Sequence, residues 1–147
     1  MKALVVYDSL QGNTKKIAEA VAEGIAAGAK VASVSSSEAK DLRGIELLVI
    51  GSPILGGKAT PATQAFLAWL PKESAAGLSV ATFDTRLKAH WVKVFGRAAE
   101  GMADAVKQKG ATLRASPEGF LVKGRNGPLV DGEVARAVEW GRKLAGA

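Results

Sequence analysis

The sequence predicts an α/β domain: a doubly wound, five-stranded parallel sheet with helices on both faces. Three observations predict it. Apolar runs of strand length alternate five times with segments of helical periodicity. Leu47-Leu48-Val49-Ile50 is apolar without a break, as suits a central parallel strand covered on both sides. A turn crowded with small polar residues, Asp8-Ser9-Leu10-Gln11-Gly12-Asn13-Thr14, joins the first strand to the first helix. Five strands wound in this way take the order 2-1-3-4-5, which places a switch point between strands one and three and a ligand over the loops leaving strands one, three and four.

The elements follow in order. Residues 2–7 form strand one. Ile17, Val21 and Ile25 recur every four residues and give the first helix one buried stripe ending near Gly28. Residues 31–34 form strand two. Ser35 and Glu38 have capping-box spacing and open a short second helix toward Arg43. After strand three, Thr60-Pro61 starts a helix with proline at its first position, and Phe66, Trp69 and Leu70 line one face. Residues 78–83 form strand four. Phe95, Ala98, Ala99, Met102 and Val106 bury one side of the next helix, which Gly110 is placed to cap. Strand five begins near Thr112, is interrupted by Ser116-Pro117-Glu118-Gly119 and resumes at Phe120. Asp131 leads a last helix with Val134, Val138, Gly141 and Leu144 as its inner stripe.

The 147 residues are read as one domain, 1–147, large enough for a core without staples. Apolar residues make up 48% and charged residues 23%, with no repeat or low-complexity run, so disordered and solenoid classes are set aside. With no cysteine, disulfides, thiolate catalysis and iron–sulfur clusters are excluded. One histidine, His90, leaves no His-based metal cage, so any redox chemistry belongs to a bound organic cofactor. Residues 1–7 run straight into a strand too short for a signal segment or a membrane span, and the expected location is cytoplasmic. Lys and Arg number 20 against 14 Asp and Glu. These bases are scattered, without a basic run interleaved with aromatics, so the excess reads as surface charge rather than a nucleic-acid footprint.

The turn at residues 8–14 has the composition of a phosphate cradle. The first N–H groups of a helix have no intrahelical partner and the dipole is positive there, so an anion is attracted. Ser9, Gln11, Asn13 and Thr14 are hydrogen-bond donors, and Gly12 lets backbone approach closely. No lysine directly follows the glycine as in a Walker A loop, and one glycine stands where a dinucleotide loop needs three. A response-regulator receiver is excluded because strand three ends in Gly51-Ser52 rather than an aspartate. A serine hydrolase is set aside because Gly-x-Ser-x-Gly is missing.

Tyr7-Asp8-Ser9-Leu10-Gln11-Gly12-Asn13-Thr14-Lys15-Lys16-Ile17-Ala18 resembles the phosphate loop of flavodoxins and of the flavodoxin domain of flavodiiron proteins. The resemblance extends over essentially the whole chain. It implies FMN as cofactor, with its phosphate held by Ser9, Gln11, Gly12, Asn13 and Thr14. The loop after strand three is similar to the family's first ring-flanking loop. There the resemblance implies Ser52 and Pro53 beside the ribityl chain and Ile54 or Leu55 against the ring. Gly56-Gly57 would supply a peptide able to turn its carbonyl toward the ring, or simply a tight turn.

The loop after strand four departs from the family, because the Gly-rich acidic segment with a stacking tyrosine is missing and Tyr7, the only tyrosine, lies on strand one. Trp91 is the residue available to cover the outer ring face, or is a core or surface tryptophan. Thr82, Phe83 and Asp84 reach the ring edge by backbone groups or, for Asp84, by accepting from a ring N–H; alternatively Asp84 pairs with Arg86 in a structural salt bridge. Lys58, Arg86, Lys88 and His90 would place positive charge near the ring, favour its reduced anion and make the second reduction step less negative than in acidic flavodoxins.

Three functions fit this reading. The first is an FMN-dependent electron carrier serving an acidic redox partner. The second is a quinone or protoporphyrinogen-type oxidoreductase whose substrate stacks on an open ring. The third is a non-redox module in which Trp91 or Leu55 fills the ring cavity.

Overall fold

The computed structural model describes residues 1–87, 98–124 and 126–146. Its sheet is parallel, with β2 (Ala29–Ser33), β1 (Ala3–Tyr7), β3 (Leu47–Pro53) and β4 (Ser79–Leu87) side by side. The far edge of β4 carries β5 (Thr112–Leu113) and then β6 (Glu118–Val122). The order is therefore 2-1-3-4-5, with the fifth position built from two pieces. Val80 pairs with Leu113 and Phe83 with Glu118, so residues 114–117 loop out opposite Ala81 and Thr82. The interruption read at Ser116-Pro117 is this break: proline has no N–H to give to the ladder.

Side chains alternate along β1, and each set feeds a separate core. Leu4 and Val6, with Leu48, Ile50 and Val80, pack under α2 (Pro61–Trp69) and α4, which is described from Ala98 to Gln108. Ala3 and Val5, with Leu47, Val49 and Phe83, pack under α1 (Asn13–Ile25) and α5 (Glu133–Gly146). Burial on both faces explains the unbroken apolar run of β3, whose Leu47, Leu48, Val49 and Ile50 have no exposed surface. Helices α1 and α5 touch backbone to backbone. A methyl at Gly24 would overlap the Val138 carbonyl, and one at Gly141 the Val21 carbonyl. The outer edge of β6 is closed by side chains: the Leu121 N–H donates to Glu133 at 2.7 Å, and Arg136 donates to the Gly119 carbonyl at 2.5 Å.

Three expectations are corrected and one element is added. Helix α1 stops at Ile25, because Ala26 leaves the helix at φ 76° and Gly28 follows at φ 92°. The expected second helix is a single 3₁₀ turn, Ser37–Lys40, and the Ser35–Glu38 capping box does not form: the cap position falls on Ser36, whose hydroxyl donates back to the Ser33 carbonyl and makes no cap bond. A one-turn helix, α3 (Lys72–Ala75), lies between α2 and β4. The inner stripe of α5 is Glu133, Ala137, Trp140, Gly141 and Leu144, while Val134 is 45% exposed. Phe95 lies outside the described residues.

Candidate functional site

The ends of β1 and β3 lie side by side, with Tyr7 opposite Gly51, and their chains leave the same edge of the sheet. The loop after β1 is organised by two of its own residues. Ser9 Oγ accepts the N–H groups of Gly12, at 3.0 Å, and Lys15, at 3.4 Å. Ser9 thus holds the loop together, leaving only its own O–H to donate. Gly12 takes φ 88°, a conformation costly for any residue with a side chain, and no atom lies within 4 Å of where its Cβ would stand. Its requirement is therefore the turn. Among the described residues, the N–H groups of Gln11, Asn13 and Thr14 have no acceptor, so the start of α1 presents unpaired donors at its positive end.

The loop after β3 is tied to the first loop. Ser52 Oγ donates to the Pro53 carbonyl at 2.8 Å and accepts the Thr60 N–H at 3.1 Å, closing the base of residues 53–60. Thr60 caps α2 by accepting the Thr63 N–H, and its hydroxyl donates to Asp8 Oδ2 at 2.5 Å. Asp8 Oδ1 accepts the Ser9 N–H at 3.0 Å. At the tip, Leu55 and Lys58 exchange both backbone hydrogen bonds, at 2.7 and 3.2 Å, around Gly56 at φ 60° and Gly57 at φ 80°. Positive φ at both central residues is the signature of a type I′ turn.

These loops border a cavity of about 470 Å³ at the carboxyl edge of the sheet, within the usual range for ligand sites. Of the residues singled out from sequence, the cavity is lined by Gln11, Asn13 and Thr14 from the first loop and by Pro53, Ile54, Leu55, Gly56 and Gly57 from the second. Arg86 lines it from β4. Leu10 and Leu55 line it with 56% and 50% of their surfaces exposed, which leaves apolar surface open at the cavity.

Other residues singled out from sequence stand behind the wall. Ser52, Thr82, Phe83 and Asp84 are buried. Thr82 Oγ1 donates to the Ala99 carbonyl at 2.8 Å. The Phe83 ring fills the space a Gly51 side chain would need and packs edge-on against Phe120 and Trp140. Asp84 accepts two bonds from Arg86, at 2.6 and 2.9 Å, and the Ala99 N–H at 2.9 Å. Of the two readings of Asp84, the structure forms the salt bridge. Burial pushes the Asp84 carboxyl up from its usual range, against the pull of the Arg86 guanidinium and the Ala99 N–H. Arg86 also meets Glu100 at 3.4 Å and lies over the bare Cα of Gly119.

The positive field expected around the ring therefore changes. Two carboxylates offset the charge of Arg86, and Lys58 does not line the cavity. Lys88, His90 and Trp91 lie outside the described residues. Sequence reasoning missed Leu10, Thr85, Leu87, Val122 and Asn126, which complete the wall. For Thr85 and Leu87 the signal was available: they continue strand four to the carboxyl edge where the topology places a ligand. Thr85 also hydrogen-bonds Thr14 across the cavity floor, at 2.9 Å between hydroxyl oxygens.

A doubly wound parallel sheet of order 2-1-3-4-5, with a polar helix start and a cavity at its switch point, defines an α/β protein of the flavodoxin-like fold. The family model described as Flavodoxin domain matches residues 4–116, and the chain belongs to that family. Among solved structures it resembles a flavodoxin from the domain Archaea, at 26% identity over 99% of this chain and 97% of that one, with a TM-score of 0.81. Flavodoxin 1 from Bacillus cereus superposes with a TM-score of 0.79 at 18% identity, covering 99% and 98% of the two chains. Rubredoxin oxygen:oxidoreductase from Desulfovibrio gigas matches 98% of this chain with 35% of its own length, at 17% identity and a TM-score of 0.76. No curated protein matches the chain at a significant level. Among the described residues no helix is long and apolar enough to cross a membrane.

Proposed function

We propose that the 147 residues act as one FMN-binding domain, a cytoplasmic carrier that passes electrons to an acidic redox partner. The observation that carries this reading is the union of two chemistries in one cavity. At one end the unpaired N–H groups of Gln11, Asn13 and Thr14 suit a phosphate. At the mouth Leu10 and Leu55 suit a flat aromatic body. Family membership supports the same assignment. Gln11, Asn13 and Thr14 would hold the phosphate, with Ser9 and Gly12 shaping the loop around it. Pro53, Ile54, Leu55, Gly56 and Gly57 would flank the ribityl chain and ring. When bound, FMN supplies the electron chemistry that side chains without a thiol lack.

The polar groups of Thr82 and Asp84 support the wall rather than the ligand, and the lining residues among those described include no general acid or base. The net charge of +6 favours an acidic partner. The first experiment titrates the stripped protein with FMN and follows flavin fluorescence, then adds NAD(P)H to the complex. Saturable quenching without reduction by NAD(P)H is expected. Reduction by NAD(P)H alone would replace the carrier with an enzyme, and no binding at tens of micromolar FMN would sink both.

A further inference from the structure

Three walls of the cavity come from the ends of β1, β3 and β4, and a fourth comes from the segment after β6. Val122 ends that strand and bridges antiparallel to Leu129. The Lys123 N–H donates to the Pro128 carbonyl at 2.8 Å, and the Val130 N–H to the Leu121 carbonyl at 2.9 Å. The returning chain is thus fastened to β6. At its tip the Gly127 N–H donates to the Gly124 carbonyl at 2.9 Å, holding Asn126, which is exposed and lines the cavity with Asn13 and Thr14.

Gly127 is seated on the phosphate loop. It takes φ 88°, and a Cβ there would stand 2.5 Å from Asn13 Nδ2 and 2.9 Å from its Oδ1. Asn13 is the first residue of α1 and is 8% exposed; its side-chain amide has no hydrogen-bond partner among the described residues and is not sealed from solvent, since Asn13 lines the cavity. That amide packs close against the bare Cα of Gly127. A side chain at residue 127 would have to move it and would also meet the cost of a positive φ.

We propose that Gly127 and Asn126 form a fourth clamp at the phosphate end of the cavity. Gly127 is a positioning residue that holds the Asn13 amide toward the ligand, and Asn126 adds a second amide beside it. Together they make the site prefer a phosphorylated flavin to its unphosphorylated form. This rests on the FMN reading above. Both amides donate N–H bonds without net charge, so the preference is for phosphate held by directed hydrogen bonds.

The test compares FMN with riboflavin, which has the same ring and ribityl chain without the phosphate. Wild type, Gly127→Ala and Asn126→Ala are titrated with each ligand by fluorescence quenching, and each protein's melting temperature is recorded. Gly127→Ala is expected to weaken FMN about tenfold, the weight of one charge-assisted hydrogen bond. Riboflavin binding changes less than about twofold on the same scale. Asn126→Ala, at an exposed position with no side-chain bond to the fold, lowers the FMN-to-riboflavin affinity ratio about threefold. That variant keeps the test open if residue 127 tolerates no side chain. Binding of both flavins with the wild-type ratio in both variants overturns the clamp alone. A wild-type protein that binds neither flavin overturns the FMN reading, and the clamp with it.

Discussion

On the β1 and β3 side of the cavity, polar side chains tie one loop to the next; on the β4 and β6 side, they are bound into the scaffold beneath the wall. Asp8, Ser52 and Thr60 join the first two loops in a chain of hydrogen bonds that leaves the start of α1 facing the cavity. Asp84, Arg86 and Glu100 instead form an ionic group, buried at Asp84 and open to solvent at Glu100, that grips the first turn of α4. The same residue types do two different jobs, and the difference lies in what each oxygen already accepts. On the first side the donors of α1 are left over for a ligand. On the second the carboxylate has no acceptor capacity aimed at the cavity, so its role is mechanical.

The largest effect expected from this contrast is in Arg86→Ala. Removing the guanidinium leaves Asp84, which has no exposed surface, with a single N–H partner for a buried negative charge. Breaking a buried pair from one side costs about 3 kcal/mol. The pH dependence has a definite sign. The folded Asp84 carboxyl titrates above its ordinary 3.8, and loss of Arg86 raises it further. A raised carboxyl contributes stability that is complete below about 3.8 and is lost as pH rises through the folded value. The deficit of Arg86→Ala should therefore be largest at neutral pH and shrink in acid, where a protonated Asp84 can stay buried. Urea denaturation of both proteins across that range measures it. Unchanged stability at pH 7 with a large loss of FMN affinity would move Arg86 from the scaffold to the ligand and break the comparison.

Thr60→Ala should cost less, about 1 to 2 kcal/mol, because it deletes a helix cap. Its hydroxyl also meets Asp8, so both loops lose their shared anchor. FMN affinity should fall together with stability, whereas Thr60→Ser, which keeps the oxygen, should restore both. If thermal melting shows the loss of stability while the FMN titration does not move, the tie between the two loops is not what shapes the site.

What was legible in the sequence follows the same division. The alternation of strands and helices, the uninterrupted β3, the Pro61 helix start and the polar turn at residues 8–14 are local signals, each with a local cause in periodicity, capping or turn chemistry, and the strand order followed from that alternation. The mouth-lining residues 53–57 were readable because their loop leaves the strand beside the switch point. The salt bridge of Asp84 with Arg86 was one of two readings the sequence offered, and the sequence did not choose between them; the side-chain roles of Thr82 and Phe83 were not readable. Their strand predicted proximity to a ligand, but which face each side chain takes and whether Ala99 and Arg86 use its oxygens depend on the packing of α4. Asn126 and Gly127 were missed for a related reason. Gly127 meets Asn13 more than a hundred positions away, Asn126 reaches the same cavity from beside it, and a turn composition of Asn and Gly signals a turn without saying what it touches.

The smallest effect probes the bond that crosses between the two sides. Thr14 on α1 and Thr85 on β4 share one buried hydrogen bond, 2.9 Å between hydroxyl oxygens. Replacing either alone with valine leaves the other hydroxyl unpaired in the cavity floor, at a cost of about 1 kcal/mol, since an unsatisfied buried hydroxyl loses its solvation. Replacing both with valine removes the demand along with the bond and keeps the volume. The double variant should thus be less destabilised than the sum of the singles, by a coupling of about 0.5 to 1 kcal/mol in a double-mutant cycle. Thr14 also lines the cavity where the α1 donors emerge, so Thr14→Val should weaken FMN more than Thr85→Val does, although the bond they lose is the same. Equal losses of FMN affinity would mean that the β4 side reaches the ligand as directly as the phosphate loop, and the contrast between the two sides would dissolve.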